Sequence, residues 1–266
     1  MQRVGSKEYK MLFLDTNAIR EISTNNNNAF KGFTKKFIIG SERFAPCISI
    51  YNIVELWSNE ENYNSFLNVF CDIPCFMFFP IQTILDEEFK CDQTGQTFKF
   101  DGRIANAFIP DSIQPSSNLL SFLNMMRSSD VSTAIEHKIR QLKLIANTWE
   151  LTRNKFYQST EKYYRGLESY LVQKDLNNFG YHNQINNIEN FPSLRIMEYS
   201  QYCRVHLSHA QIKPNDVMDV EISHITPYMD AVITENFQSN VLKKSRSFIP
   251  QLKNLEVYTL RDIREP

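Results

Sequence analysis

The chain divides by its apolar and polar runs into two alternating stretches with a long helical one between them. Residues 11–14 are apolar in a row and give way at once to Asp15, Thr16 and Asn17, the pattern of a short buried strand with its carboxyl end marked by polar residues. A helical stretch from Ala18 runs into the polar tract 23–28, which reads as a loop. Phe30, Phe33 and Phe37 then fall at helical spacing in a helix over 29–39, with Gly40 as its stop. Residues 44–48 read as a second strand, and Ser49 offers an N-cap for a helix over 50–60 that buries Ile50, Ile53, Val54 and Trp57. A further helix over 61–70 and a Phe-rich third strand over 75–81 follow. Strand and helix alternating in this way predict a parallel, doubly wound sheet.

The alternation then lapses. Residues 91–107, with Thr94, Gly95, Gln96 and Thr97 between mixed runs, read as a small hairpin, and 110–117 as a loop. From 118 to 159 the period is helical: Val131, Ile135, Ile139, Leu142, Ile145 and Trp149 advance by three or four. Helical pattern resumes over 161–175 and 192–211. The alternating pattern returns with a helix opened by Pro214 and closed by Pro227, a strand at Ala231–Thr234, a helix over 237–246 and a last strand over 255–260. The expected architecture is α/β: a parallel sheet of about five strands flanked by helices, built from residues 9–90 and 212–262. A mostly helical insertion, 91–211, is expected to pack on it.

Composition narrows the function classes. A net charge of −1 over 266 residues argues against a broadly basic nucleic-acid coat while leaving room for a charged cleft. The surplus of Lys138, Arg140, Lys143, Arg153, Lys155, Lys162 and Arg165 over the acids between 130 and 170 reads as a solvated face, with an RNA-facing wall as the alternative. The seven glycines form no phosphate-cradling loop, which removes the common nucleotide-binding folds. Five scattered cysteines lack the paired spacing of a zinc site and read as reduced thiols. A polar first ten residues and the lack of a long apolar run predict a cytoplasmic chain with no membrane partner.

The candidate chemistry lies at the strand ends. Asp15 leaves the first strand at the edge where open α/β sheets bind ligands, although an Asp there also caps the next helix. Glu55 sits in mid-helix, ordinarily a solvated position. Asp216 and Asp219 share the first turns of their helix, where Asp216 reads as a cap. Glu235 and Asn236 leave the fourth strand. His224, Pro227, Tyr228 and Asp230, ahead of that strand, are expected to serve the fold.

Taken together, a strand ending in Asp-Thr-Asn, a helix bearing Glu55, a helix bearing Asp219 and a strand ending in Thr-Glu-Asn resemble the PIN-domain nucleases, over residues 9–81 and 212–262. The resemblance implies a ribonuclease acting on single-stranded RNA or tRNA, with Asp15, Glu55 and Asp219 holding Mg²⁺ or Mn²⁺. Asn236 stands where many members carry a fourth acid, with Glu235 beside it. Asn17, Glu235, Lys243 and Lys244 are then candidates for substrate contact. Hydrolysis of a phosphodiester needs an activated water and relief of charge on the leaving oxygen, and a pair of hard cations held by carboxylates supplies both. RNA is the implied partner, and a second copy of the chain or a protein inhibitor is compatible with the family, as is a toxin-like or defence role. Two other enzyme readings fit less well. Phosphatases of the haloacid-dehalogenase type need an acid where Asn17 stands, and the pair Arg204 and His209, which resembles the HEPN ribonuclease signature, is a commonplace spacing. The non-enzyme alternative is a PIN-like scaffold that binds RNA or protein.

Overall fold

A computed structural model describes residues 2–4, 7–24, 28–96, 98, 103–110, 112–127, 131–156 and 160–264. Its centre is a sheet of β2 (Lys7–Leu14), β3 (Phe44–Ser49), β4 (Cys75–Phe78), β5 (Ala105–Phe108), β6 (Ala231–Thr234) and β7 (Glu256–Thr259), in the spatial order β5-β4-β3-β2-β6-β7. A short β1 (Gln2–Val4) folds back antiparallel on the start of β2. The pairs β4/β3, β3/β2, β2/β6 and β6/β7 are parallel, as the alternation predicts, and β5 lies antiparallel on β4. All five expected strands form. Strand order reverses between β2 and β6, and the carboxyl ends of those two strands therefore flank a crevice.

Four helices matter for this crevice, three of them starting at strand ends. They are α1 (Thr16–Ser23) after β2, α3 (Ile50–Trp57) after β3, α10 (Pro214–Ile222) before β6 and α11 (Asn236–Ser245) after it. Around them lie α2 (Asn28–Phe33), α4 (Glu60–Phe70), α5 (Ile81–Thr94), α6 (Leu119–Arg127), α7 (Val131–Phe156), α8 (Glu161–Asn178), α9 (Pro192–Tyr202) and α12 (Leu260–Ile263). Among the described residues, no helix is long and apolar enough to cross a membrane.

The strand β2 alternates between two cores: Met11 and Phe13 pack with β6 and the helices of one face, Leu12 and Leu14 with α1, α2 and α4 on the other. At its other end Asp230 fixes the β2/β6 register, its Oδ2 accepting from the Met11 amide at 2.7 Å while its own amide donates to the Met11 carbonyl at 3.0 Å. That is the structural role expected of Asp230.

Several expectations change. The helix expected over 50–60 stops at Trp57, because the Asn59 side chain accepts from the Asn62 amide and caps α4 separately. The helix expected over 29–39 widens from α2 into a π-turn, Thr34–Ile38. The helix expected over 192–211 ends similarly, α9 passing into a π-turn at Cys203–Leu207. The third strand stops at Phe78, and Pro80 opens α5, which runs through 91–94 where a hairpin was expected. Gly95 closes α5 with φ of 67°, a left-handed conformation that glycine adopts without steric cost. The remainder of that hairpin, 97 and 99–102, lies outside the described residues, as do 25–27 of the expected loop 23–28 and 111 of the loop 110–117. Within the latter, Pro115–Ser117 forms one 3-10 turn.

The span 91–211 is helical in α6 to α9 but also supplies β5 to the sheet edge. Its Tyr164, Ile196, Tyr199 and Tyr202 share one core with Met11, Phe13 and Val232 of the sheet.

Candidate active site

Asp15 resolves its two sequence readings by doing both. Its Oδ1 accepts from the Ala18 amide at 2.8 Å, capping α1, and its Oδ2 accepts from the Glu235 amide at 2.9 Å, tying the ends of β2 and β6 together. Desolvation raises its pKa and the Glu235 charge adds to this, against the hydrogen bonds from Ala18, Thr234 and Glu235.

The start of α3 is set by a capping box: Ser49 Oγ accepts from the Asn52 amide while the Asn52 side chain accepts from the Ser49 amide at 2.8 Å. Asn52 is fully buried and donates to Thr16 Oγ1 at 3.0 Å, so α3 is locked to the first turn of α1. Glu55, one turn further along, is thereby turned into the crevice. Only 13% of its side chain is exposed, and its Oε1 accepts from Arg20 Nη2 at 3.1 Å and from Asn215 Nδ2 at 3.2 Å.

From α10, Asp216 accepts from the Lys213 amide at 2.7 Å, the expected cap, and also pairs with Arg204 Nη1 at 3.1 Å. Asp219 stands 3.8 Å from Arg204 Nη2. Its side chain keeps 39% of its surface accessible, yet the surrounding protein still desolvates the carboxyl. Desolvation there, then the charge of Asp15, then those of Glu235 and Glu55, push it up to about 8, with Arg204 opposing. Four acids from four separate elements therefore act on one another. Glu235 is held toward this group by Asn17, whose amide donates to its carboxylate.

No protein-family model, curated protein or solved structure matches this chain. The chemistry of the crevice rests on its own residues.

The structure brings Asp15, Asn17, Glu55, Asp219 and Glu235 together. Glu235 and Asn236, the first residue of α11, are both exposed and both border a recess with Thr259, Arg261 and Arg264; of the two, Glu235 carries the charge, and it acts on Asp15 and Asp219. Lys243 and Lys244 occupy the last turn of α11, at the opposite end from Glu235. Sequence reasoning passed over Arg20, Asn215 and the ion-pairing role of Arg204. Arg204 emerges from the π-turn after α9, which buried Arg153 of α7 holds by donating to the carbonyls of Arg204, Val205 and Ala210 at 3.2, 3.2 and 2.7 Å. Nothing in local spacing signals that bracing.

In kind, the donor set suits a hard divalent cation: all its ligating atoms are oxygens, and its surplus negative charge contributes to Asp219's raised pKa. As placed, no three Asp, Glu, His or Cys side chains among the described residues form a ready cation cage. Arg20 lies on Glu55 and Arg204 on Asp216 and Asp219, occupying the electrostatic position that a metal would take.

Proposed function

We propose that this chain is a divalent-metal-dependent ribonuclease of the PIN type, hydrolysing phosphodiester bonds of single-stranded RNA or tRNA. The observation that carries the reading is the meeting of Asp15, Glu55, Asp219 and Glu235 at the strand-order reversal, with Asp219 raised to about 8 by burial and by its neighbours. Carboxylates gathered this way repel one another and cost stability unless a cation or a bound substrate turns them to use.

Asp15, Glu55 and Asp219 would hold Mg²⁺ or Mn²⁺. The metal would supply Lewis-acid stabilisation of the developing phosphate charge and a more acidic water. The chain's own residues set the rest. Asp15 is aimed by its bonds to Ala18 and Glu235 and cannot swing away without uncapping α1. Glu55 is oriented through Asn52 and Thr16. Arg204 and Arg20 offset the acids, and their guanidinium groups, which match phosphate oxygens in geometry, would be free to contact substrate were a cation to take their place on the acids. Burial and the neighbouring acids favour the protonated form of Asp219 in the free protein, and a bound cation would favour its carboxylate.

The engagement of Glu55 and Asp219 by arginines favours a second reading, an inert PIN-like scaffold in which the ion pairs are permanent. The discriminating experiment incubates wild type and Asp15→Asn with total RNA and Mn²⁺ or Mg²⁺ and maps new RNA ends. New ends with wild type, none with Asp15→Asn and none in EDTA support the nuclease. Equal products from both proteins, or none from either, refute it.

A further inference from the structure

Beside the acids, the same edge of the sheet carries a recess of about 300 Å³ at the ends of β6 and β7. Thr234 and Thr259, register partners at the carboxyl ends of these parallel strands, both line it. Two residues join it to the acid crevice. Glu235 lines the recess while its amide donates to Asp15 and its charge acts on Asp219. Phe237 also lines it, and the guanidinium of Arg204, the ion-pair partner of Asp216 and Asp219, lies over that ring at 3.9 Å from its centre. Two strand spacings of about 4.8 Å each separate the end of β2 from that of β7. A polynucleotide with one phosphate at the acids therefore has its next nucleotide over the recess.

The charged groups around the recess are not equally free. Arg264 is committed: its Nε and Nη2 donate to the two carboxylate oxygens of Glu21 at 2.5 and 2.8 Å, tying α12 to α1. Asp262 accepts from the amide and hydroxyl of Thr259 at 2.6 and 2.8 Å, bonds that hold its carboxyl below the ordinary range, with Lys243 and Lys36 adding to the effect. Arg261 has no such engagement. It is exposed, lines the recess and makes no ion pair or hydrogen bond among the described residues.

This distribution selects an occupant. Glu235 repels an anion at the end nearest the acids, and Arg261 attracts one at the other, where a guanidinium matches phosphate oxygens. Half-buried Phe237 and Leu260 offer apolar surface to a flat ring. The volume admits one nucleobase. Bases of a single strand can be splayed out into such a place, whereas those of a duplex stay stacked and paired.

Resting on the ribonuclease reading, we propose that this recess is the subsite for the nucleotide next to the scissile phosphate of a single-stranded RNA, with the base against Phe237 and Leu260 and a backbone phosphate on Arg261. Binding of a short, labelled single-stranded RNA of mixed sequence is followed by fluorescence anisotropy in EDTA, where the RNA stays uncut, from about 50 to 200 mM salt. Arg261→Gln is expected to weaken binding about fivefold or more and to reduce the slope of log K against log salt by about 0.7, the value of one phosphate contact on a single strand. Arg43→Gln, which alters an exposed arginine ahead of β3 at the opposite edge of the sheet, should change affinity less than about twofold. The same sequence as a duplex should bind at least about tenfold more weakly than the single strand. Unchanged affinity and slope in Arg261→Gln, an equal loss in Arg43→Gln, a duplex bound as tightly as the single strand, or no binding by wild type would each overturn the proposal. Cleavage of the same RNA in Mn²⁺ is scored separately. Arg261-dependent binding with no cutting by wild type refutes the nuclease and leaves a strand-binding recess, whereas cutting by wild type with binding indifferent to Arg261 refutes the recess alone.

Discussion

Replacing Asp219 by Asn removes one charge from the crowded crevice and keeps the side chain's shape. In the folded chain this carboxyl is held at about 8 against an ordinary 3.8. The folded state therefore keeps a proton that the unfolded chain has already released, and the sign follows: the stabilising contribution is whole below pH 4, falls as pH rises toward 8 and is gone above it. If the group were dry, the displacement would correspond to about 6 kcal/mol. With 39% of the side chain accessible, solvent screening reduces that to the order of 1–2 kcal/mol. Asn cannot ionise, so Asp219→Asn should match wild type near pH 4 to 5. At pH 8.5 in EDTA it should exceed wild type by about 1–2 kcal/mol, a rise in Tm of roughly 2–6 °C. Arg204 still has Asp216 at 3.1 Å and is not orphaned by the change. Mn²⁺ should reverse the order: a cation at a hundred times its Kd adds about 2.7 kcal/mol to wild type and little to a variant lacking a ligand. Thermal unfolding of both proteins across pH 5 to 8.5, with EDTA and with Mn²⁺, reads all of this. An Asn variant less stable than wild type at pH 8.5 in EDTA, or a difference that does not vary with pH, would refute the electrostatic account of the crevice.

Glu235→Gln should reduce metal-dependent cleavage at least tenfold, while Asn236→Ala should leave it within twofold; initial rates on a labelled RNA separate the two. Asn52→Ala breaks the buried contacts to Ser49 and Thr16, and should cost about 1–3 kcal/mol in urea unfolding while releasing Glu55 from its place. Arg153→Met leaves the carbonyls of Arg204, Val205 and Ala210 without their donor. It should lower stability by about 2–3 kcal/mol in the same assay and weaken binding of uncut RNA more than it alters the circular dichroism spectrum.

The central strands β2 and β6 were legible because each is a short apolar run ended by polar residues, and burial on both faces of a sheet leaves that mark in one dimension. The hairpin reading of 91–107 failed for a matching reason: α5 sets half-buried Phe89 and buried Cys91 among charged residues, and its period is too weak to outvote the turn signal of Gly95. Among site residues, Asp15 stood out because a strand end is a local event. Glu235 and Asn236 were indistinguishable by position, since either could face the crevice until the start of α11 was placed.

Local order along the chain was thus enough to specify an alternating α/β core with polar side chains at its strand ends. Which acids share a field, and that Arg204 lies among them, were settled only by the packing. Hydrophobic periodicity constrains each element separately, whereas the approach of residues 15, 55, 204, 219 and 235 depends on how α9, α10 and the β2/β6 edge come together across long separations in the chain, and Coulomb interaction follows separation in space and the surrounding dielectric rather than separation in sequence.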